Sequence, residues 1–414
     1  MKTKRLVSII LTGIIVILTC DRLPDEQEPN KLNLTKKSLE LIESDNEFGL
    51  EFFREVINND TSDNIMVSPL SVALALGMTY NGADGSTKEA MKETLKLSGL
   101  SDEEINTAYK SIIDQLLKLD PKVVLSIANS IWYRLNFTVL PEFIDLNKIY
   151  YDAEVNELDF SLPDAKDIIN EWVDEKTKGL IPEIIDYIPA EAVMYLINAI
   201  YFKGLWKYEF DPEATSEQPF YLTNDQTEVV DMMEMECDLM YMSNELFSAV
   251  KLPYGDGAFS MTILLPHSQY TPDNIVEELS NENWNTWMNS FSNEHVVVKL
   301  PKFKFKFFRL LNQDLKDMGM SIAFDPFNAD FGGINPDEKL YISRVLHKTF
   351  IDVSEEGTEA AAVTAVEISF TSIDPSQPTA TFFVVDRPFI FSIQENSSGT
   401  ILFMGKVNRP KYEE

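Results

Sequence analysis

The sequence predicts an α+β fold in which helices precede strands along the chain. Residues 39–57 place apolar side chains three and four positions apart with charges between them, which predicts an amphipathic helix. The last third of the chain, after Lys339, is dominated by runs rich in β-branched and aromatic residues, which predict strands. Because helices and strands do not alternate regularly, we expect large mixed sheets.

The remaining elements follow in chain order. Residues 68–80, SPLSVALALGMTY, predict a buried helix, since Ser68 can cap its N-terminus and Pro69 suits its first turn. No linker, repeat or low-complexity segment interrupts the chain after residue 38. Strands are predicted from the apolar runs at 194–203, 247–252, 259–265, 296–305, 340–354, 379–395 and 400–407.

Length and charge exclude several classes of function. With 414 residues, 44% of them apolar, the chain can bury a large core. Its formal net charge of −32 argues against nucleic acids and against polyanions such as heparin, because an acidic surface repels phosphate and sulfate groups. One basic run alternates with Val, Leu and Phe, which favours an amphipathic strand with a solvated face over an anion site. Its members are Lys299, Lys302, Lys304, Lys306 and Arg309.

Residues 1–20 are predicted to be a signal peptide. Three basic residues precede an apolar run over 6–18, which is shorter than the stretch of about 20 residues that spans a bilayer. Residues 17–20, ILTC, resemble a bacterial lipobox, in which Cys20 would become the lipidated first residue. An ordinary secretory signal cleaved nearby is the alternative. Both interpretations predict an extracytoplasmic protein, and residues 21–37, polar with two prolines, are predicted to be a flexible tether.

No motif supports an enzyme. The chain lacks G-x-S-x-G, H-E-x-x-H and paired C-x-x-C motifs, and only three histidines are present. His347 has apolar neighbours, which favours a hydrogen-bonded core residue over a catalytic base. Cys237, the only cysteine of the body, is interpreted as a small buried hydrophobe. We therefore expect no catalytic residue, no cofactor and no metal.

Residues 358–370 have strand periodicity although their alanines and glutamates are helix formers. One side of such a strand carries no charge and becomes more apolar along the chain. The other side holds both glutamates of the segment, Glu359 and Glu367. The uncharged side consists of Thr358, Ala360, Ala362, Thr364, Val366, Ile368 and Phe370.

Over residues 38–410 the chain resembles one family, the serpins, which inhibit serine and sometimes cysteine proteases. The resemblance is carried by motifs that occur in the family's order and spacing. They are 64–71 (NIMVSPLS), 198–206 (NAIYFKGLW), 300–303 (LPKF), 318–320 (MGM), 323–324 (AF), 329–331 (ADF), 347–349 (HKT), 355–361 (EEGTEAA) and 386–389 (DRPF). A prokaryotic-type serpin, lipid-anchored or secreted, is the resulting prediction.

The resemblance implies a single serpin domain over 38–414, with three β-sheets, eight or nine helices and an exposed reactive-centre loop at about 357–386. In that family, cleavage of the loop lets its N-terminal part insert into the main sheet as a new strand, which traps the protease as a covalent acyl-enzyme. The hinge of the loop would comprise Glu355, Gly357, Thr358, Glu359, Ala360, Ala361 and Ala362. The residues that control sheet opening, the shutter and breach, would be Ser68, Ser71, Asn198, Trp206 and His347.

The same resemblance places the bond that the protease attacks. Counting seventeen residues with Glu355 as the first reaches Thr371, so the predicted bond is Thr371–Ser372, with Phe370–Thr371 as the alternative. Thr371 favours elastase-like or subtilisin-like proteases, whereas Phe370 favours chymotrypsin-like or some papain-like ones. No Lys or Arg lies between Gly357 and residue 386, so trypsin-like targets are disfavoured.

A serpin that does not inhibit, acting as a binding or chaperone protein, is the competing interpretation. Such members tend to carry charged, bulky or proline-containing hinges. Here the hinge side chains that would enter the sheet are small and uncharged, and no proline occurs between Gly357 and Asp374. We therefore expect an inhibitor whose partner is its target protease, and we expect a monomer.

Overall fold

The computed structural model describes residues 28–223, 226–358 and 380–412. Within them the α+β fold is confirmed, with nine α-helices, and no helix is both long and apolar enough to span a bilayer. The helices are α1 (Lys36–Asn59), α2 (Pro69–Tyr80), α3 (Gly85–Thr94), α4 (Asp102–Leu116), α5 (Pro141–Tyr151), α6 (Ala165–Lys176), α7 (Pro272–Glu277), α8 (Asn281–Met288) and α9 (Asn312–Leu315). A π-helical turn (Lys316–Met320) and a 3₁₀ turn (Ser321–Phe324) follow α9.

The described residues also form fifteen strands. They are β1 (Asn64–Val67), β2 (Val123–Arg134), β3 (Glu154–Leu158), β4 (Met194–Leu205), β5 (Ser216–Tyr221), β6 (Thr227–Ser243), β7 (Phe247–Tyr254), β8 (Phe259–Pro266), β9 (Ser292–Pro301), β10 (Phe303–Leu310), β11 (Leu346–Val353), β12 (Gly357–Thr358), β13 (Thr381–Val384), β14 (Phe389–Glu395) and β15 (Ile401–Val407).

These strands form two hydrogen-bonded sheets, not the three expected. The six-stranded sheet has the order β10-β11-β12-β4-β2-β3. The nine-stranded sheet has the order β1-β15-β14-β8-β7-β6-β9-β13, with β5 paired to β6. The nine-stranded sheet is continuous because β6, 17 residues long, pairs with β5, β7 and β9 along its length.

The buried helix predicted at 68–80 is confirmed as α2. Ser68 caps it by accepting a hydrogen bond from the Ser71 N–H, and Pro69 occupies the first turn. Nearly every residue of α2 is buried, and the helix packs against β4 and β15. The amphipathic helix predicted at 39–57 is α1, whose apolar face belongs to the same core. Helix α2 thus places Ser68 and Ser71 under the six-stranded sheet.

Two predicted strands differ from the structure. The run 296–305 is divided at Lys302, because the chain leaves the nine-stranded sheet after β9 and enters the six-stranded sheet as β10. The run 340–354 is a strand only from Leu346 onward. Its first part alternates in hydrophobicity because Leu340, Ile342 and Val345 pack on the core from an irregular segment.

The predicted tether over 21–37 ends earlier than expected. Asn30 donates a hydrogen bond from its side chain to the Leu119 carbonyl, and the backbone of Asn33 exchanges hydrogen bonds with the Gln115 side chain. Helix α1 then begins at Lys36. These bonds, which the polar composition of the segment did not predict, fix the described residues from about position 30 to the body.

Candidate functional site

The first residues of the predicted hinge already form a strand in the six-stranded sheet. Strand β12 lies between β11 and β4, with Thr358 opposite Val353 on one side and Gly204 on the other. The Thr358 side chain is buried, and its hydroxyl lies 2.6 Å from that of Tyr254. The hinge therefore begins a new central strand of this sheet.

Gly357 has a steric reason to be glycine. A Cβ atom at this position would lie only 2.2 Å from the carbonyl oxygen of Gly204, a distance that no side chain tolerates. The backbone of β12 approaches β4 this closely as it leaves a tight turn, in which the Ser354 N–H donates to the Gly357 carbonyl. The family resemblance placed Gly357 in the hinge, and the structure adds a close backbone approach that requires glycine at this position.

Trp206 and Tyr254 support the hinge from below. Their rings stack with centroids 4.4 Å apart. The indole N–H of Trp206 donates to the Ser354 carbonyl at 2.9 Å, and its backbone N–H donates to the Glu356 carbonyl at 2.9 Å. This buried aromatic pair holds both the turn and the Thr358 side chain that follows it.

Glu355 anchors the turn by charge. Its carboxylate lies 3.0 Å from the Lys302 ammonium group and accepts a 2.9 Å hydrogen bond from the Thr215 hydroxyl. Burial raises the pKa of this carboxyl, but the backbone N–H, Lys302 and Thr215 outweigh it, so the pKa lies below its usual value. The glutamate stays ionised at neutral pH and fixes the start of the hinge.

Beyond the hinge a cleft separates β4 from β11. Among the described residues these strands share no ladder with each other, and on the sides where they face each other both pair only with β12. The cleft has a volume of about 190 Å³. Four of the predicted shutter residues line it, namely Ser68, Ser71, Asn198 and His347. Trp206, predicted with them as a shutter or breach residue, does not line the cleft and lies beside the hinge.

His347 is a neutral hydrogen-bond acceptor at the floor of the cleft. The Ser68 N–H donates to its Nε2 atom at 3.0 Å, so the ring proton of the neutral form is on Nδ1. The Ser68 hydroxyl donates to the Leu402 carbonyl at 2.7 Å. Burial lowers the pKa of His347 to about 4. The predicted hydrogen-bonded core histidine is thus confirmed.

The side chain of Asn198 has a hydrogen-bond partner for its amide nitrogen but not for its oxygen. Its amide donates to Asn129 Oδ1 at 2.7 Å, and the Asn129 amide donates to the Tyr151 carbonyl at 2.7 Å. The Oδ1 atom of Asn198 is buried and has no hydrogen-bond partner within the described part of the chain. An unpaired buried acceptor costs free energy, so this cleft favours an occupant that can donate a hydrogen bond.

Several functional residues could not be found by sequence reasoning. Tyr254 contacts Thr358 across 104 positions, and Asn129 contacts Asn198 across 69. Lys302 was assigned only to an amphipathic strand, although its partner Glu355 is a hinge residue. The remaining predicted site residues lie outside the described residues: Cys20, Glu359, Ala360, Ala361, Ala362, Phe370, Thr371 and Ser372.

Cys237 does not have the environment of a nucleophile. It is half-buried in β6, and burial, aided by the charges of Asp238 and Glu236, raises its thiol pKa to about 12. The sequence-based interpretation as a small hydrophobe agrees with this burial.

Comparison with known proteins identifies the family. A family model described as "Serpin (serine protease inhibitor)" matches residues 43–410. The chain is a serpin. This serpin is 33% identical to the human leukocyte elastase inhibitor, over 90% of this chain and 100% of the relative.

Solved structures support the same family assignment. The native state of the thermophilic serpin tengpin superposes with a TM-score of 0.82 and 33% identity, covering 93% of this serpin and 98% of tengpin. Human thyroxine-binding globulin superposes with a TM-score of 0.81 and 28% identity, over 91% of this serpin and 100% of the globulin. The proteins that this serpin resembles therefore include both one named as an elastase inhibitor and one named for thyroxine binding.

Proposed function

We propose that this serpin inhibits serine proteases as a suicide substrate whose cleaved loop inserts between β4 and β11. One observation carries the proposal: Gly357 and Thr358 already lie between these strands, at the end of a cleft with no strand among the described residues to fill it. A loop that continued β12 would extend a ladder that has already begun.

The chemistry is supplied by the protease. Its serine oxygen attacks the carbonyl carbon of Thr371, the bond to the Ser372 nitrogen breaks, and that nitrogen leaves with a proton as a free amine. Thr371 is then joined to the protease as an ester. The two ends of the cut loop can separate, so the segment from Glu359 to Thr371 can enter the cleft and move the attached protease with it.

The register of β12 determines where each inserted residue would lie. Strand β12 is antiparallel to both neighbours, and Thr358 lies opposite Gly204 of β4 and Val353 of β11. Thr364, six residues further along the loop, would therefore lie opposite Asn198 of β4 and His347 of β11. Side chains two apart face the same side of a strand, so Thr364 would face the core as Thr358 does. Its hydroxyl could then donate to the unpaired Oδ1 of Asn198. The cleft and the loop are complementary in this respect.

The length of the loop also fits. Strand β4 begins at Met194, ten residues before Gly204, so residues 359–368 would fill it. The 13 residues from Glu359 to Thr371 span about 43 Å at about 3.3 Å each. That displacement would move the protease along the whole strand, away from the end at which it docked.

For the target we propose an elastase-like, subtilisin-like or chymotrypsin-like protease rather than a trypsin-like one. Thr371 and Phe370 are uncharged, and the segment 358–385 contains no lysine or arginine. A relative named as an elastase inhibitor supports this choice. The net charge of −32 supports an expectation of no nucleic-acid or heparin partner.

The test is to mix the purified protein with elastase, chymotrypsin, subtilisin and papain and to analyse each mixture on a denaturing gel. An inhibitor gives a covalent complex and releases a peptide that starts at Ser372. Clean cleavage by every protease, with no complex, would favour the binding or chaperone role instead.

The location outside the cytoplasm is a second part of the proposal, supported by the basic, apolar and cysteine-ended pattern of residues 1–20. We propose a prokaryotic-type lipoprotein modified at Cys20, or a secreted protein if the signal is cut elsewhere. Mass spectrometry of the mature N-terminus, compared with a Cys20→Ala variant, distinguishes the two.

A further inference from the structure

The solvent-exposed surface of three neighbouring strands forms a second candidate contact region. We call it the docking face. It consists of Glu234, Glu236 and Asp238 from β6, His295 and Lys299 from β9, and Phe382 and Val384 from β13. The strands run side by side, so these side chains form rows across the sheet.

Phe382 is the centre of the docking face. It is 70% exposed although it lies in a regular strand, opposite Val297. An exposed aromatic ring in a fixed backbone loses little conformational entropy when a partner covers it, which is why such rings anchor interfaces. A partner that covered the ring would remove this apolar surface from water, which favours binding.

The polar side chains around Phe382 hold one another in place. His295 bridges two carboxylates, with Nδ1 2.9 Å from Asp238 Oδ1 and Nε2 3.0 Å from Glu236 Oε1. Lys299 lies 2.9 Å from Glu234. The docking face therefore has three carboxylates but only one lysine and one histidine. Their mutual contacts fix the geometry of the face before a partner binds.

The location of the docking face indicates its occupant. Strand β13 starts at Thr381, and nine residues, 372–380, separate it from the predicted cleavage site. Nine residues reach at most about 30 Å. A protease of about 250 residues has a radius of gyration of about 18 Å. A protease bound at Thr371–Ser372 is therefore large enough to reach Phe382.

We propose that the docking face binds the body of the target protease in the complex that precedes cleavage, at a surface beside its active site that is apolar and positively charged. This inference rests on the proposed inhibitory function. Thr371 leaves with the acylated protease, whereas Ser372 stays joined to β13. The docking face therefore acts on the first encounter and not on the trapped complex.

The experiment uses the protease of the panel that forms the covalent complex, and a form of it with the nucleophilic serine changed to alanine. The full-length protein is compared with Phe382→Ala and with the double variant Glu236→Gln/Asp238→Asn. Phe327→Ala is the matched control, since Phe327 is 83% exposed in the turn after the 3₁₀ segment. The readouts are the Kd for the inactive protease, the rate constant for covalent inhibition, and the moles of inhibitor consumed per mole of protease.

We expect both docking-face changes to weaken Kd and to lower the rate constant about tenfold, as for an interface anchor. The moles consumed should not change, and Phe327→Ala should match the wild type. If the covalent complex forms and Kd changes less than twofold, the docking face is wrong and the inhibitory function stands. A change in oligomeric state with unchanged Kd would assign the face to self-association and overturn the inference. Failure of every protease to form the complex would overturn the function, and this inference with it.

Discussion

The hydroxyl groups of Thr358 and Tyr254 lie 2.6 Å apart beneath the six-stranded sheet, before any cleavage of the loop. Tyr254 also stacks on Trp206, which donates hydrogen bonds to the turn that begins the hinge. The first two residues of the inserting strand, Gly357 and Thr358, are therefore already in place. The side chain at the point where the rest of the loop would enter the sheet, that of Thr358, is small and uncharged.

Thr358→Arg is expected to convert the inhibitor into a substrate. Position 358 is already buried before cleavage, so the arginine would displace β12 from the sheet, and insertion would then have to bury the guanidinium beside Tyr254 with no carboxylate partner, which costs about 3–5 kcal/mol. Insertion would slow by two or more powers of ten, while attack on Thr371 would be unaffected. Titration of a protease should show cleaved inhibitor and free enzyme. The control is Thr358→Ser, which keeps the hydroxyl and should inhibit normally; undiminished inhibition by the arginine variant would refute insertion at this hinge.

Thr364→Val is expected to destabilise only the cleaved protein. Insertion in register brings the Thr364 hydroxyl to the unpaired Asn198 Oδ1, and the valine variant leaves that acceptor buried without a donor. The cost should be about 1–3 kcal/mol in the free energy of unfolding of the cleaved form. Chemical denaturation of both forms measures it, with Thr364→Ser as the control. An equal loss before and after cleavage would contradict the predicted register.

Stability should fall in acid through His347. Burial lowers its pKa to about 4 in the folded state, whereas an unfolded histidine has a pKa of about 6.5. Between these values only the unfolded chain binds the proton, so the stabilisation is complete above pH 6.5 and is lost as the pH falls to 4. The loss should be about 3 kcal/mol.

The measurement compares the unfolding free energies of the wild type and His347→Gln from pH 8 to pH 4. Subtraction removes the contribution of Asp45, whose pKa burial raises to about 7 and which therefore acts in the opposite direction. Parallel pH profiles for the two proteins would show that His347 is not held neutral.

Cleavage of the loop should raise the melting temperature. The inserted strand would form two ladders, in which every hydrogen bond contributes about 1 kcal/mol. Burial of Val366 and Ile368 adds about 1.5–3 kcal/mol for each side chain. Together these contributions should raise the melting temperature by roughly 20 °C. Differential scanning calorimetry before and after limited elastase digestion measures the change. An unchanged melting temperature would indicate a serpin that does not insert its loop.

Much of the fold was predictable because it depends on local patterns. Ser68 and Pro69 marked the start of α2, and the apolar run at 194–203 marked β4. The division of the run 296–305 was not predictable. Both halves are genuine strands, and only the tertiary structure shows that Lys302 lies between two different sheets.

The site was predictable only where a family motif contains the residue. Ser68, Asn198 and His347 line the same cleft, in agreement with the resemblance. Tyr254 was missed because the residues around it, 252–257 (LPYGDG), carry no signal for a contact with Thr358, 104 positions away. The exposure of Phe382 was missed for a similar reason, since alternation in β13 does not reveal which side of an edge strand faces solvent.

A crystal structure of the protein cleaved at Thr371–Ser372 tests the central claim most directly. The account predicts that residues 359–368 form a strand between β4 and β11, in register with Gly357 and Thr358, with Thr364 between Asn198 and His347. A cleaved protein in which β4 and β11 remain apart, the 190 Å³ cleft stays open and the loop lies outside the sheet would contradict it.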